Sequence, residues 1–336
     1  MSGAWLYVFA LIISAATSAF LTPLIRRLAL RTNLVGEVTD RGMHKTPTPR
    51  IGGIAVYLGF TFALFSVLGI ALTRANFFHD VDDLHNFFGL LFGSTLILGV
   101  GLWDDIMTMK PREKLLAQVV VALISMLYGF IIPGTNNPFT HQWMDFPLYV
   151  GVPLTLVWYL GMMNAINFID GLDGLLSGVT AISCIFLFAI ALNHHHSVVA
   201  LIVIALAGAT LGFLPYNFNP AKIILGDAGS LFIGFVFATV SVMGESKTAI
   251  SISLIVPLLL LALPILDTAA AIVRRTRSGK KITEADRGHF HHQLIFRYGL
   301  NVRQAVLLIY AVCFLLGATA LVLSGGILHF TKIAGL

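Results

Sequence analysis

Ten stretches of this chain contain no Asp, Glu, Lys or Arg, and that one feature decides most of what it can fold into. They lie near 4–24, 51–72, 86–103, 115–133, 147–166, 174–192, 198–215, 230–244, 248–266 and 304–325. A helix crossing a bilayer takes about 20 apolar residues, because only a helix or closed barrel satisfies its own backbone in lipid. Charged residues make up 11% of the 336, against about 25% in soluble domains. The pattern excludes a water-soluble enzyme and a disordered chain. It predicts an all-α, polytopic integral membrane protein of about ten transmembrane helices. The ninth stretch holds Pro257 and Pro264, which predict a kinked or broken helix. The first run lacks a basic flank and a cleavage site and is expected to be a retained helix, not a signal peptide. With no repeat and no soluble insert, residues 1–336 read as one membrane domain.

The cations fix an orientation. Arg26, Arg27, Arg31, Arg41, Lys45 and Arg50 precede the second stretch, Lys110, Arg112 and Lys114 follow the third, and Lys222 follows the seventh. Eight more lie between 273 and 303, and the alternate loops hold only Arg74, Lys247 and Lys332 of the total of 21. The positive-inside rule then puts both termini outside. Cytoplasmic loops are expected near 25–50, 104–114, 167–173, 216–229 and 273–302. The net charge of +5 is thus an orientation signal, and no nucleic-acid partner is expected. Cys184 and Cys313 sit in apolar runs and form no disulfide framework or metal spacing.

Aspartates at the ends of apolar helices are costly to keep. Asp104 and Asp105 follow the third stretch, Asp170 and Asp173 the fifth, Asp227 precedes the eighth and Asp267 closes the ninth. All fall on the cytoplasmic side. The outer loops hold Asp80, Asp82, Asp83, Asp145 and Glu245 in polar surroundings. Adjacent aspartates repel unless a cation compensates. Mg2+, binding few carboxylates and completing its shell with water and substrate phosphates, is the natural partner. Singly, each acid reads equally well as a helix cap or salt-bridge partner, and for Asp267 that is the preferred reading. The set on one face favours the metal.

"DGLDG" and "GDAGS" put flexible backbone beside these acids, letting amides approach a phosphate. Asp173 reads also as the N-cap of a helix starting near Gly174. "DRGHFHH" supplies His289, His291 and His292, whose spacing suits an extended loop that binds phosphate or orders itself, not a zinc site. His194, His195 and His196 fall outside and read as a solvated loop. Lys45 and Arg50 in "HKTPTPRIGG" serve either as orientation signal or as phosphate capture. No P-loop and no serine or cysteine nucleophile signature is present.

At these residues the chain resembles the polyprenyl-phosphate N-acetylhexosamine-1-phosphate transferases, over nearly its whole length. "DD", "NFIDGLDGL", "YNFNPA", "GDAGSL" and "HFHH" occur in that family's order. "GDAGS" and "GHFHHQL" followed by "RQ" look closer to the UDP-GlcNAc branch than to the muramoyl-pentapeptide branch. The resemblance implies Asp227 as a Mg2+ (or Mn2+) ligand, with Asp104 and Asp105 binding the metal or placing the lipid phosphate. It implies Asn164, Asp170 and Asp173 lining the nucleotide-sugar pocket, with Asn217 beside it. Lys45 would meet a phosphate, and His289, His291 and His292 the diphosphate or sugar. Ile224 stands where many relatives carry an aromatic residue, which takes away a stacking surface for uracil. A homodimer is expected from the family.

The implied reaction transfers a sugar 1-phosphate from a UDP-sugar to polyprenyl phosphate, releasing UMP. A phosphomonoester is largely dianionic at pH 7, so direct attack needs no general base. A two-step route through an aspartyl phosphate is the second mechanism. A cation-coupled transporter or lipid flippase is the competing class, but transport sites lie near the bilayer midplane, and these acids lie at helix ends.

Overall fold

The computed structural model describes residues 4–36, 48–74, 81–136, 143–243 and 290–324, with residues 270 and 276. The chain is a polytopic helical bundle. Its helices are α1 (Ala4–Arg31), α2 (Gly53–Arg74), α3 (Val81–Met107), α4 (Pro111–Leu127) and α5 (Leu148–Ile169). They continue with α6 (Leu175–Asn193), α7 (Ser197–Asn217), α8 (Gly226–Val242), a short α9 (Phe290–Phe296) and α10 (Val302–Leu323). Among the described residues, seven of these are long and apolar enough to cross a membrane, α4 and α8 being shorter. The ninth apolar stretch, with Pro257, Pro264 and Asp267, lies outside the described residues.

Two small antiparallel ribbons interrupt the helices. Val35–Gly36 (β1) pairs with Thr48–Pro49 (β2), and Gly134–Asn136 (β3) with Trp143–Asp145 (β4). Strands this short carry no readable alternation, so the apolar pattern gave no sign of them.

The helix α8 forms the centre. It is buried on every side from Ala228 to Val242, as expected of a helix apolar all round. Helices α2, α3 and α5 enclose it. Small residues set the closeness. A Cβ added to Gly53 of α2 would lie 2.2 Å from the Gly229 amide nitrogen, and one on Gly101 of α3 would lie 2.5 Å from Ala228 Cα. Backbones that approach so closely need glycine at the crossing. Toward the far end of α8, Tyr159 Oη meets Thr239 Oγ1 at 3.0 Å and Trp158 Nε1 donates to Ser241 Oγ at 3.0 Å, satisfying polar atoms away from water. A second group, α1, α6 and α7, packs beside this one, and α10 lies against α6.

Candidate active site

Four helix ends meet at one end of the bundle. The third helix runs past its apolar stretch to Met107, so Asp104 and Asp105 lie within α3 instead of after it. Likewise α8 begins at Gly226, which puts Asp227 in its first turn. Between them stands Lys114, on the first turns of α4. Its Nζ lies 2.8 Å from Asp104 Oδ2 and 2.7 Å from Asp227 Oδ1. Asn167, near the end of α5, donates from Nδ2 to Asp227 Oδ1 and to Ser230 Oγ at 2.8 Å.

The two neighbouring aspartates of α3 behave differently. Asp104 accepts the Met109 amide at 2.7 Å with Oδ1 and the ammonium of Lys114 with Oδ2. Asp105 accepts the backbone amides of Asp227 and Ala228, both at 2.9 Å. The residue before α8, Leu225, has no side-chain cap, so Asp105 caps that helix from another element. A carboxylate there satisfies two orphan donors and complements the helix dipole. Gly226 makes this contact geometrically feasible. Its φ is +77°, and a Cβ would fall 1.8 Å from the Arg50 carbonyl oxygen and 2.6 Å from Asp105 Oδ2. The segment 49–53 is stitched alongside: Ile224 donates to the Pro49 carbonyl, and Gly52 and Gly53 donate to those of Ile224 and Leu225.

Asp170 follows α5 directly, as its C-cap. Among the described residues nothing donates to its carboxylate. Partial burial pushes its pKa up to about 8, with Asp227, Asp105 and Asp173 adding to the rise and Arg50 opposing it. The side chain of Asp227 is 31% exposed and that of Asp104 10%. Asp227 is therefore the open member of the cluster, and its Oδ2 has no donor among the described residues.

The remaining expected residues divide. Asp173 is not the cap of α6. That position is Gly174, with φ +80°. Asp173 instead turns to the "NFNPA" loop, accepting Asn219 Nδ2 and the Ala221 amide, each at 2.9 Å. Asn217 is buried and engaged within the fold, accepting from Ser177 Oγ at 2.8 Å and donating to the Ile223 carbonyl at 3.1 Å. Asn164 donates to Gln118 Oε1 at 2.7 Å, one turn away from Asn167 and Lys114 respectively. Lys45 and His289 lie outside the described residues. His291 and His292 fall in α9, which corrects the extended loop expected there. Leu294 is buried and Ile295 partly buried, giving this turn an apolar face, and α9 packs on α10. The triplet 194–196 is not the solvated loop expected. Only His195 is exposed, and the half-buried rings of His194 and His196 lie 6.5 Å apart.

Reading acids and histidines missed Lys114 and Asn167. Lys114 looked like one more orientation charge. Asn167 was legible by spacing, one turn after Asn164 on α5 and three residues before Asp170.

Comparison with known proteins decides the class. A model of glycosyl transferase family 4 matches residues 87–245, from within α3 past the end of α8. A Bacillus subtilis (strain 168) protein, named a probable undecaprenyl-phosphate N-acetylglucosaminyl 1-phosphate transferase, is 33% identical over 321 residues, covering 94% of this chain and 84% of that one. The chain belongs to glycosyl transferase family 4. Other relatives in the family span two branches. The decaprenyl-phosphate N-acetylglucosaminephosphotransferase of Mycobacterium tuberculosis (strain H37Rv) is 34% identical, covering 88% of this chain and 77% of its own. The phospho-N-acetylmuramoyl-pentapeptide-transferase of Bacillus thuringiensis (strain Al Hakam) is 31% identical, covering 91% and 93%. Every residue of the Lys114 cluster lies inside the segment matched by the family model.

Proposed function

We propose that this protein transfers N-acetylglucosamine 1-phosphate from UDP-GlcNAc to undecaprenyl phosphate or a related polyprenyl phosphate, releasing UMP. The product would start cell-envelope polysaccharide synthesis. The observation that carries the reading is the carboxylate–ammonium cluster of Asp104, Lys114 and Asp227 at the helix ends, in a chain whose relatives are named for this transfer. A lipid acceptor and a water-soluble donor can meet only at a membrane face. We place that face in the cytoplasm, with ten spans and both termini outside, on the distribution of Lys and Arg.

The donor set suits Mg2+. It is all oxygen, and its acids outnumber the one ammonium among them. No three of the described acids already stand as a metal-binding group. Asp227 Oδ2 and the Asp170 carboxylate have no donor among the described residues and would hold the metal first, with Asp104 joining where Lys114 moves aside. Both oxygens of Asp105 serve the α8 amides, so its part is to hold Asp227 in place. When bound, Mg2+ would screen the diphosphate and stabilise charge on the leaving UMP. An oxygen of the lipid phosphate attacks the phosphorus bonded to the sugar. The new P–O bond forms as the bond to the UMP oxygen breaks. Lys114 supplies a cation to the incoming phosphate, and Asn167 fixes the Asp227 carboxylate.

The test is UMP release from UDP-GlcNAc by purified protein in detergent, with and without undecaprenyl phosphate and Mg2+. Release that needs both, and is lost in Asp227→Asn, is the expected result. Release with another UDP-sugar alone corrects the donor. No release from folded protein with any UDP-sugar overturns the reading.

A further inference from the structure

The turn that carries Asp170 and Asp173 is held from a side the transfer chemistry does not use. Two residues of α10 grip it. Tyr310 donates its hydroxyl to the Gly174 carbonyl, which also accepts the Gly178 amide. Arg303 donates from Nε to the Asn219 carbonyl at 2.8 Å, and Asn219 in turn donates to Asp173 Oδ2 at 2.9 Å. Residues 303 and 310 are two turns apart and so share one face of α10. That face fixes residue 173 through a loop and residue 174 directly.

The packing is built for the contact. A Cβ on Gly178 would lie 2.0 Å from the Tyr310 hydroxyl, so only glycine lets that hydroxyl reach the turn. Gly174 holds φ +80°, and a Cβ there would lie 2.9 Å from the Phe218 ring. A phenol hydroxyl in an apolar helix is costly unless paired, and here its partner is the backbone of the acidic turn. A guanidinium donating to a carbonyl makes one of the stronger hydrogen bonds available.

We infer that Tyr310 and Arg303 are positioning residues, setting the 170–174 turn that carries Asp170 and Asp173 so that the UDP-sugar is bound there. The inference rests on the reading of this protein as a UDP-GlcNAc transferase whose acidic turn faces the donor. Each acts through the turn, and α10 thereby ties the acidic turn to α9, which packs on it.

The test uses the full chain in detergent and the variants Tyr310→Phe, Gly178→Ala, Arg303→Gln and Arg303→Lys. Hydrogen exchange of a peptide spanning 170–174, thermal unfolding, and KM for UDP-GlcNAc and for undecaprenyl phosphate are measured for each. Loss of one such hydrogen bond should raise the UDP-GlcNAc KM about 3- to 10-fold. The undecaprenyl phosphate KM should move less than twofold, the turn should exchange faster, and Arg303→Lys should recover most of the affinity. Gly178→Ala should reproduce Tyr310→Phe, because both part the hydroxyl from the turn. Unchanged exchange in every variant overturns the inference. So does faster exchange with an unchanged donor KM, or an equal rise in both KM values tracking a fall in melting temperature. If the parent protein releases no UMP, the functional reading fails, and exchange at 170–174 still decides whether α10 holds the turn.

Discussion

Replacing Lys114 with methionine separates stability from chemistry at this site. The ammonium lies 2.8 Å and 2.7 Å from two carboxylates. At an effective dielectric of about 20, a pair 4 Å apart is worth ~4 kcal/mol, and shorter pairs somewhat more. Asp227 is 31% exposed, so water screens much of its share. Asp104, at 10%, keeps most of its own. Stranding it costs on the order of 3 kcal/mol in the metal-free protein, the low end for a broken buried pair. Methionine keeps the length and apolar stem, so the loss is electrostatic. A divalent cation then replaces the missing charge without a competitor. Mg2+ should bind Lys114→Met at least tenfold more tightly than the parent, a difference of about 1.4 kcal/mol. At saturating Mg2+ the variant should therefore recover about 1.4 of the ~3 kcal/mol it lost relative to the parent, roughly half of the melting-temperature deficit. UMP release should stay at least about 100-fold down, since the incoming phosphate loses its own cation. Thermal unfolding across a Mg2+ titration, beside initial rates, measures both. Equal Mg2+ shifts in parent and variant would refute the reasoning, because the ammonium and the metal would not then share carboxylates.

Asp105→Ala should destabilise the protein by about 1–2 kcal/mol through loss of the cap on α8, with Asp105→Asn intermediate because one acceptor remains; thermal unfolding reads both. Gly53→Ala puts a methyl group 2.2 Å from the Gly229 nitrogen and should prevent stable packing, whereas Gly161→Ala, with open space around it, should unfold like the parent. Asp170 makes stability depend on pH. Its folded pKa is about 8 against an ordinary 3.8, so both states are protonated below about pH 4 and no penalty exists there. As pH rises to about 8 the unfolded state ionises first, and stability is lost across that window. Asp170→Asn should stabilise the metal-free protein more at pH 8 than at pH 5. The same gain at both pH values would show that the carboxyl is not held protonated.

Helix positions were readable because lipid demands long uncharged runs, and each described run is a helix. Helix ends were not, since hydropathy stops where charge begins and a helix need not. That is why Asp104, Asp105 and Asp227 proved to be helical residues. The acids of the site were legible as a set, through their cost at helix ends. Their separate duties were not. Two adjacent aspartates on α3 point to different partners, one to a lysine of α4 and one to the amides of α8, and only the packing of three helices distinguishes them. Lys114 was hidden for the same reason, because its role depends on residues 10 and 113 positions away.

The fully enclosed α8 also bears on how the chain is made. A helix with no lipid-facing side gains little by entering the bilayer alone, where its small residues and serine and threonine hydroxyls find no neighbours. Helices α2, α3 and α5, which enclose it among the described residues, precede it in the chain, and Asp105, the group that caps it, is made 122 residues before Asp227, whose amide donates to it. The walls can thus stand in the membrane before α8 leaves the ribosome. Order of synthesis and order of packing coincide, and a chain permuted to begin at α8 would lose that advantage.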